Sequence, residues 1–237
     1  MREDGAQAAV AARVPGAAAL GLLVPPSADV VPAALLADPG WTAQLLAARA
    51  PRQRTDDRRV LATVWWYSVS AVLLTPVLAG LVTGVGLSAR LADTRVHLLA
   101  GAVPVAASTC ARDTADLAAD LRTTIAAVVG AVAEAGRMRE RPLWAIATDS
   151  LANRLLAVGR AVGDVAAATA LADPLAAAVG APLPAPRYVD VAGARFTRRA
   201  SCCLLYRVPH EALCTSCPRR DPVQRQVLLE DAAQRQA

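Results

Sequence analysis

VLATVWWYSVSAVLLTPVLAGLVTGVGLSA, residues 60–89, contains no charged side chain. A bilayer span needs about 20 predominantly apolar residues, so the run is long enough to cross a membrane. It also contains Pro76, Gly80, Gly84 and Gly86, and the hydroxyls of Thr63, Ser68, Ser70, Thr75, Thr83 and Ser88. That mixture suits a helix enclosed by other helices, which is apolar all round because every face is covered. A buried helix from about Arg59 to Val82 is therefore expected, and membrane association is not. Trp65, Trp66 and Tyr67 read as core and rim.

The sequence around this helix points to a mainly α protein with a small α+β element. Two short helices are expected between Ser27 and Ala50, divided at Asp38-Pro39-Gly40, and Thr55-Asp56-Asp57 can cap the central helix. Residues 94–107, TRVHLLAGAVPVAA, read as two short strands broken at Gly101. His97 in the first strand reads as a partnered residue rather than a ligand, and Cys110 as a small buried residue. Leu117, Leu121, Ile125, Val128 and Val132 form one helical stripe. Leu143, Ala147, Leu151, Leu155, Val158 and Val162 form a second after Pro142, with Asp149, Asn153, Arg154 and Arg160 off that face. A last helix is expected over about Asp164–Val179, with Asp173-Pro174 as a break.

The expected organisation is a weakly ordered N-terminus (1–27), a mainly helical domain (28–181), and a proline-rich linker and strand (182–197). A cluster-binding segment (198–220) and a polar tail (221–237) complete it. Pro182, Pro184 and Pro186 stiffen the linker. The opening Met-Arg-Glu-Asp-Gly nearly cancels in charge, and Arg13, Pro15, Pro25 and Pro26 interrupt the apolar stretch after it, so no secretory signal is read. A cytoplasmic location is the resulting expectation, and in a reducing compartment cysteines favour ligation over disulfides.

All 25 basic residues are arginine, and the formal charge is only +5 with 3% aromatic residues. Neither a basic nucleic-acid footprint nor a base-stacking platform is present, so no nucleic-acid partner is expected. No phosphate loop, dinucleotide-binding glycine pattern or nucleophile elbow occurs.

The chemistry gathers near the C-terminus. Cys202-Cys203, ten residues, then Cys214-Thr-Ser-Cys217 hold four of the five cysteines. The C-x-x-C half lets one tight turn aim two sulfurs at one metal. The adjacent pair is a poor zinc half-site, because neighbouring side chains diverge on strand or helix. A two-iron cluster is wider, and adjacent cysteines can reach it through a local bend. A two-iron cluster, a zinc site and thiol–disulfide chemistry all remain open from spacing alone.

The run RRASCCLLYRVPH from Arg198, followed by Cys214-Thr-Ser-Cys217-Pro218, resembles the C-terminal motif of the FhuF-like ferric-siderophore reductases, S-C-C-L-x-Y-R then C-x2-C-P. The resemblance covers about residues 198–218. It implies that Cys202, Cys203, Cys214 and Cys217 hold a [2Fe–2S] cluster. It implies an oxidoreductase that reduces Fe(III) in hydroxamate-type siderophores. Its partners would be a ferric siderophore and an external electron donor such as a ferredoxin or flavoprotein. Arg195, Arg198, Arg199, Arg207, Arg219 and Arg220 can offset the charge of such a cluster, and Ser201, Thr215 and Ser216 can hydrogen-bond to its sulfurs. Tyr206 is expected to pack against the cluster loop, and His210 to be a neighbour rather than a ligand. The alternatives are a non-catalytic regulatory or binding protein with a structural cluster or zinc, and an accessory of siderophore assembly.

Overall fold

The computed structural model describes residues 4–236. It is 56% helical and 12% strand, which makes the protein mainly α with short strands. The uncharged run forms α3 (Arg58–Thr83), and its neighbours in the chain are α1 (Asp4–Arg13), β1 (Asp29–Pro32) and α2 (Pro39–Gln53). The chain continues through β2 (Thr94–Leu99), β3 (Val103–Thr109), α4 (Leu117–Ala135), α5 (Arg141–Val162), α6 (Val165–Ala170) and α7 (Ala172–Val179). It ends with β4 (Tyr188–Val191), β5 (Ala194–Thr197) and α8 (Pro222–Gln234).

Asp57 starts α3 by accepting hydrogen bonds from the Arg59 and Val60 amides, at 3.0 and 3.1 Å. Gly84 stops it in the left-handed region, at φ 73°. Between these ends α3 is the central core helix, with Trp65 and Trp66 almost wholly buried. It is the one helix among the described residues long and apolar enough to cross a membrane, and most of it is covered by the rest of the protein. The hydroxyls in the run find partners inside the fold. Thr63 and Thr75 donate to carbonyls one turn back, and the Ser70 and Ser150 hydroxyls meet at 2.7 Å to join α3 to α5. Trp66 Nε1 donates to the Leu143 carbonyl at 2.8 Å across the same interface.

Three elements differ from the expectation. The N-terminal segment is a packed helix, not a weakly ordered stretch. In α1, Gln7 donates to the carbonyls of Leu22 and Ala107 and accepts from the Thr109 amide, while Val10, and Val14 just past the helix, are buried with Leu22, Leu87 and Val158. Tertiary hydrogen bonds hold this helix, and local periodicity does not report them. Residues 29–32 form an edge strand rather than part of a helix, paired antiparallel to β2 with Val31 opposite Val96. Two valines favour the strand, and Pro32 is tolerated because an edge position leaves its missing donor facing outward. The last helix breaks at Leu171 instead of Asp173-Pro174, because Pro174 sits in the first turn of α7, where no amide is needed.

The three-stranded sheet has the order β1-β2-β3 and is antiparallel throughout. Residues 182–187 do not act as a free spacer. Leu183 and Pro186 are buried, Thr148 donates to the Pro184 carbonyl at 2.9 Å, and Tyr188 donates to the Ala152 carbonyl at 3.0 Å. The β4–β5 hairpin is thereby laid along α5, and α8 covers it with Leu229 and Ala233 against Val191 and Phe196. This layering brings the end of β5 and the cysteines onto α3 and α5.

Candidate metal centre

The cysteine segment begins where β5 ends. Arg199-Ala200-Ser201 runs over a single carboxylate on α5, Asp149. Oδ1 accepts from the Ala200 amide at 2.7 Å, and Oδ2 from the Ser201 amide and hydroxyl at 3.1 and 3.0 Å. Arg199 Nε also reaches Oδ2, at 3.3 Å, and both charged side chains are only 2% exposed. Burial alone raises the Asp149 carboxyl above its ordinary value, and its four donors oppose that rise. Asp149 is the lone charged residue between Arg141 and Arg154. That isolation is the sequence signal for a buried acid, and amphipathic periodicity does not register it.

The chain bends directly after the adjacent cysteines. Leu204 adopts a left-handed conformation at φ 59°, and a short 3-10 turn over Leu205–Arg207 comes directly after it. The Leu204 amide donates to the Cys202 sulfur, and the Leu205 amide to the Cys203 sulfur. Leu204, Leu205 and Val208 pack onto Val60 and Val64 of α3, which seats the turn on the helical body.

The sulfurs then pair crosswise. Cys202 Sγ lies 3.9 Å from Cys217 Sγ. Cys203 and Cys214 hydrogen-bond to each other, and Arg199 Nη1 lies 3.3 Å from Cys214 Sγ and 3.8 Å from Cys203 Sγ. The bond from Cys214 and the Arg199 guanidinium pull the Cys203 thiol down to about 5; Cys214, as the donor, is pushed up. Cys202 is pushed up by burial. Among the described residues, no three cysteine, histidine or carboxylate side chains converge on one metal ion. The four thiols group as two pairs. They fit a two-iron cluster, in which each iron takes two thiolates.

The arginines divide into two groups. Arg199 reaches the sulfurs, and its guanidinium also stacks 5.0 Å from the Tyr67 ring. Arg220 donates to the carbonyls of Leu213 and Cys214 and fixes the second cysteine turn. Arg219 covers the Tyr206 ring at 5.6 Å. Arg195 and Arg207 are turned elsewhere. Arg195 pairs with Asp190 at 2.8 Å within the β4–β5 hairpin, and Arg207 with Asp57 at 3.5 Å. The expectation that Ser201 bonds to a sulfur is corrected, since its hydroxyl serves Asp149. Among the described residues, Thr215 and Ser216 make no hydrogen bond to sulfur. His210 is exposed, with Nε2 3.1 Å from Arg54. His97 lies in the sheet, with Nε2 2.8 Å from Ser108 Oγ.

A short, cysteine-rich segment is thus clamped onto a helical body by a buried ion pair. The family description of the FhuF 2Fe-2S C-terminal domain matches residues 199–219, which span the anchor and both thiol pairs. The match indicates a [2Fe–2S] cluster and covers only this segment. No curated protein matches the chain.

Proposed function

We propose that this protein is a siderophore-iron reductase that passes one electron to Fe(III) held by a hydroxamate-type siderophore and so releases Fe(II). The observation that supports it is the crosswise pairing of Cys202 with Cys217 and of Cys203 with Cys214, in the segment that matches the FhuF domain. These four cysteines are the ligands in this reading. When bound, the two-iron cluster supplies one electron at a time. Arg199 places a fixed positive charge beside Cys203 and Cys214, which favours holding the added negative charge. Asp149 and Tyr67 keep that guanidinium in place.

Hard oxygen donors hold Fe(III) far more tightly than Fe(II), so one added electron loosens the chelate. The chain needs only to present the siderophore close to the thiolates. Cys202 and Cys214 are half-exposed, while Cys203 and Cys217 are buried, so the chelate approaches from the Cys202 and Cys214 side. An external donor, a ferredoxin or flavoprotein, restores the electron. The reaction belongs to the cytoplasm, where such donors and incoming siderophores meet.

The test has two stages. Anaerobically purified protein should be brown and hold about two irons and two sulfides per chain. Reduced, desalted protein mixed with a ferric trihydroxamate and an Fe(II) trap should reoxidise while trapped Fe(II) accumulates in step. A cluster that stays reduced with several ferric siderophores, yet discharges to an artificial oxidant, would leave a structural or regulatory cluster instead.

A further inference from the structure

Beside the second cysteine turn lies a recess of about 230 Å³, lined by Arg187, Arg198 and Arg225, by the buried, Asp149-paired Arg199, and by Ser216 and Pro218 among others. Among the described residues, no acidic side chain lines it. Among the same residues, Arg187, Arg198 and Arg225 form no ion pair. Arg225 spends one guanidinium nitrogen on the carbonyls of Cys217 and Arg220, at 3.4 and 3.3 Å, and has no anionic partner there. The larger recess at the β4–β5 hairpin differs in kind: it contains Asp190, already paired with Arg195, and no residue of the cysteine turns.

Like charges gathered in a concave wall repel one another and focus a positive potential into the space they enclose. Planar guanidinium forks match carboxylate geometry and bind it with paired hydrogen bonds. We infer that this recess binds a carboxylate arm of the ferric chelate, so that the preferred substrate is a net-anionic siderophore rather than a neutral or cationic one.

The size and position of the recess agree with that occupant. Pockets for whole ligands run to about 300–1,000 Å³, so this one admits an arm and leaves the iron-bearing part outside. Ser216 lies between Cys214 and Cys217, and Arg199 touches the Cys214 sulfur, so an arm seated here holds the chelate against the cysteine turn. The step itself is unchanged: one electron moves to the chelated Fe(III), which becomes Fe(II), and no bond forms in the recess.

This inference rests on the reductase reading, and one experiment separates the two. A linear ferric trihydroxamate ending in an amine is a cation; succinylating the amine turns the same iron centre into an anion. Reduced, desalted protein is mixed with each in a stopped-flow instrument at low ionic strength, and cluster reoxidation is followed. The anion should react faster by about tenfold or more, and added salt should shrink the difference, as expected for electrostatic steering. In the Arg198→Gln/Arg225→Gln protein, with cluster absorbance matched to wild type, the anion should slow to the rate of the cation. If the double variant does not fold, the wild-type comparison and its salt dependence decide alone. Equal rates for both chelates overturn the anionic recess and leave the reductase reading standing. Failure of both chelates to reoxidise a cluster that an artificial oxidant discharges overturns the reading and the recess together.

Discussion

Asp149→Ala removes the carboxylate on which the cysteine segment is anchored. Four donors lose their acceptor, and one belongs to Arg199, whose side chain is 2% exposed. Removing one partner of a buried ion pair costs about 3–5 kcal/mol, because the remaining charge stays buried without compensation. In the loaded protein the thiolates give Arg199 a second anionic neighbour, so the lower end of that range applies there. Urea denaturation is the assay, with far-UV circular dichroism reporting the helices and visible absorbance the cluster. With a slope of about 3 kcal/mol per molar urea, suited to a chain of this size, the midpoint should fall by roughly 1 M in the loaded protein and further in the apoprotein. Visible absorbance should be lost at lower urea than helicity, since Arg199-Ala200-Ser201 leads directly into Cys202. Asp149→Asn keeps the shape and removes the charge, and most of the loss should persist. Wild-type midpoints and full cluster content in both variants would refute the anchor.

Arg199→Gln should lower the midpoint potential of the cluster, measured by a dye-linked redox titration, and Arg199→Lys should recover part of the shift; an unchanged potential in both would separate the guanidinium from the cluster. Serine at Cys202, Cys203, Cys214 or Cys217 should remove or severely alter the visible bands, and Cys110→Ser should leave them intact. Variants that do load should share an electron paramagnetic resonance signature within each pair, Cys202 with Cys217 and Cys203 with Cys214. Burial, aided by Arg95, lowers the His97 pKa, so the unfolded chain binds its proton more readily than the folded one. That contribution to stability is present above the unfolded value, about 6.5 for an imidazole, and is lost as pH falls below it. His97→Gln should flatten this part of the pH–stability curve measured by denaturant melts, and an unchanged slope would refute the assignment.

The core helix was legible because thirty uncharged residues interrupted by glycine, proline and hydroxyls leave few other uses. The stripes of α4 and α5 were plain from their spacing, and the four cysteines announced the site by density. Less legible were features made by contacts far apart in the chain. Gln7 reaches Ala107 and Thr109, Thr148 reaches Pro184, and Asp149 reaches Arg199 through Ser201, and none of these leaves a local periodic trace. Arginine spacing likewise could not say which cations face the sulfurs. Arg195 and Arg207 stand within seven residues of the adjacent cysteines, as Arg199 does, yet each had a carboxylate elsewhere within reach. The adjacent cysteines were hard to place for the same reason. Their crosswise pairing depends on the left-handed Leu204 and on the distant turn that carries Cys214 and Cys217.

The Asp149 anchor also bears on how such a segment can be moved between proteins. A graft of residues 199–219 onto another helical scaffold would bring along a buried guanidinium and three further donors that need one carboxylate opposite them. Cut away from its segment, the helical body would in turn keep an acid on α5 that has lost all four of these donors. Motif and scaffold are thus not interchangeable cassettes. A transplant that ignores position 149 carries four thiols but no firm footing, and one that supplies an acid there brings the segment with its seat.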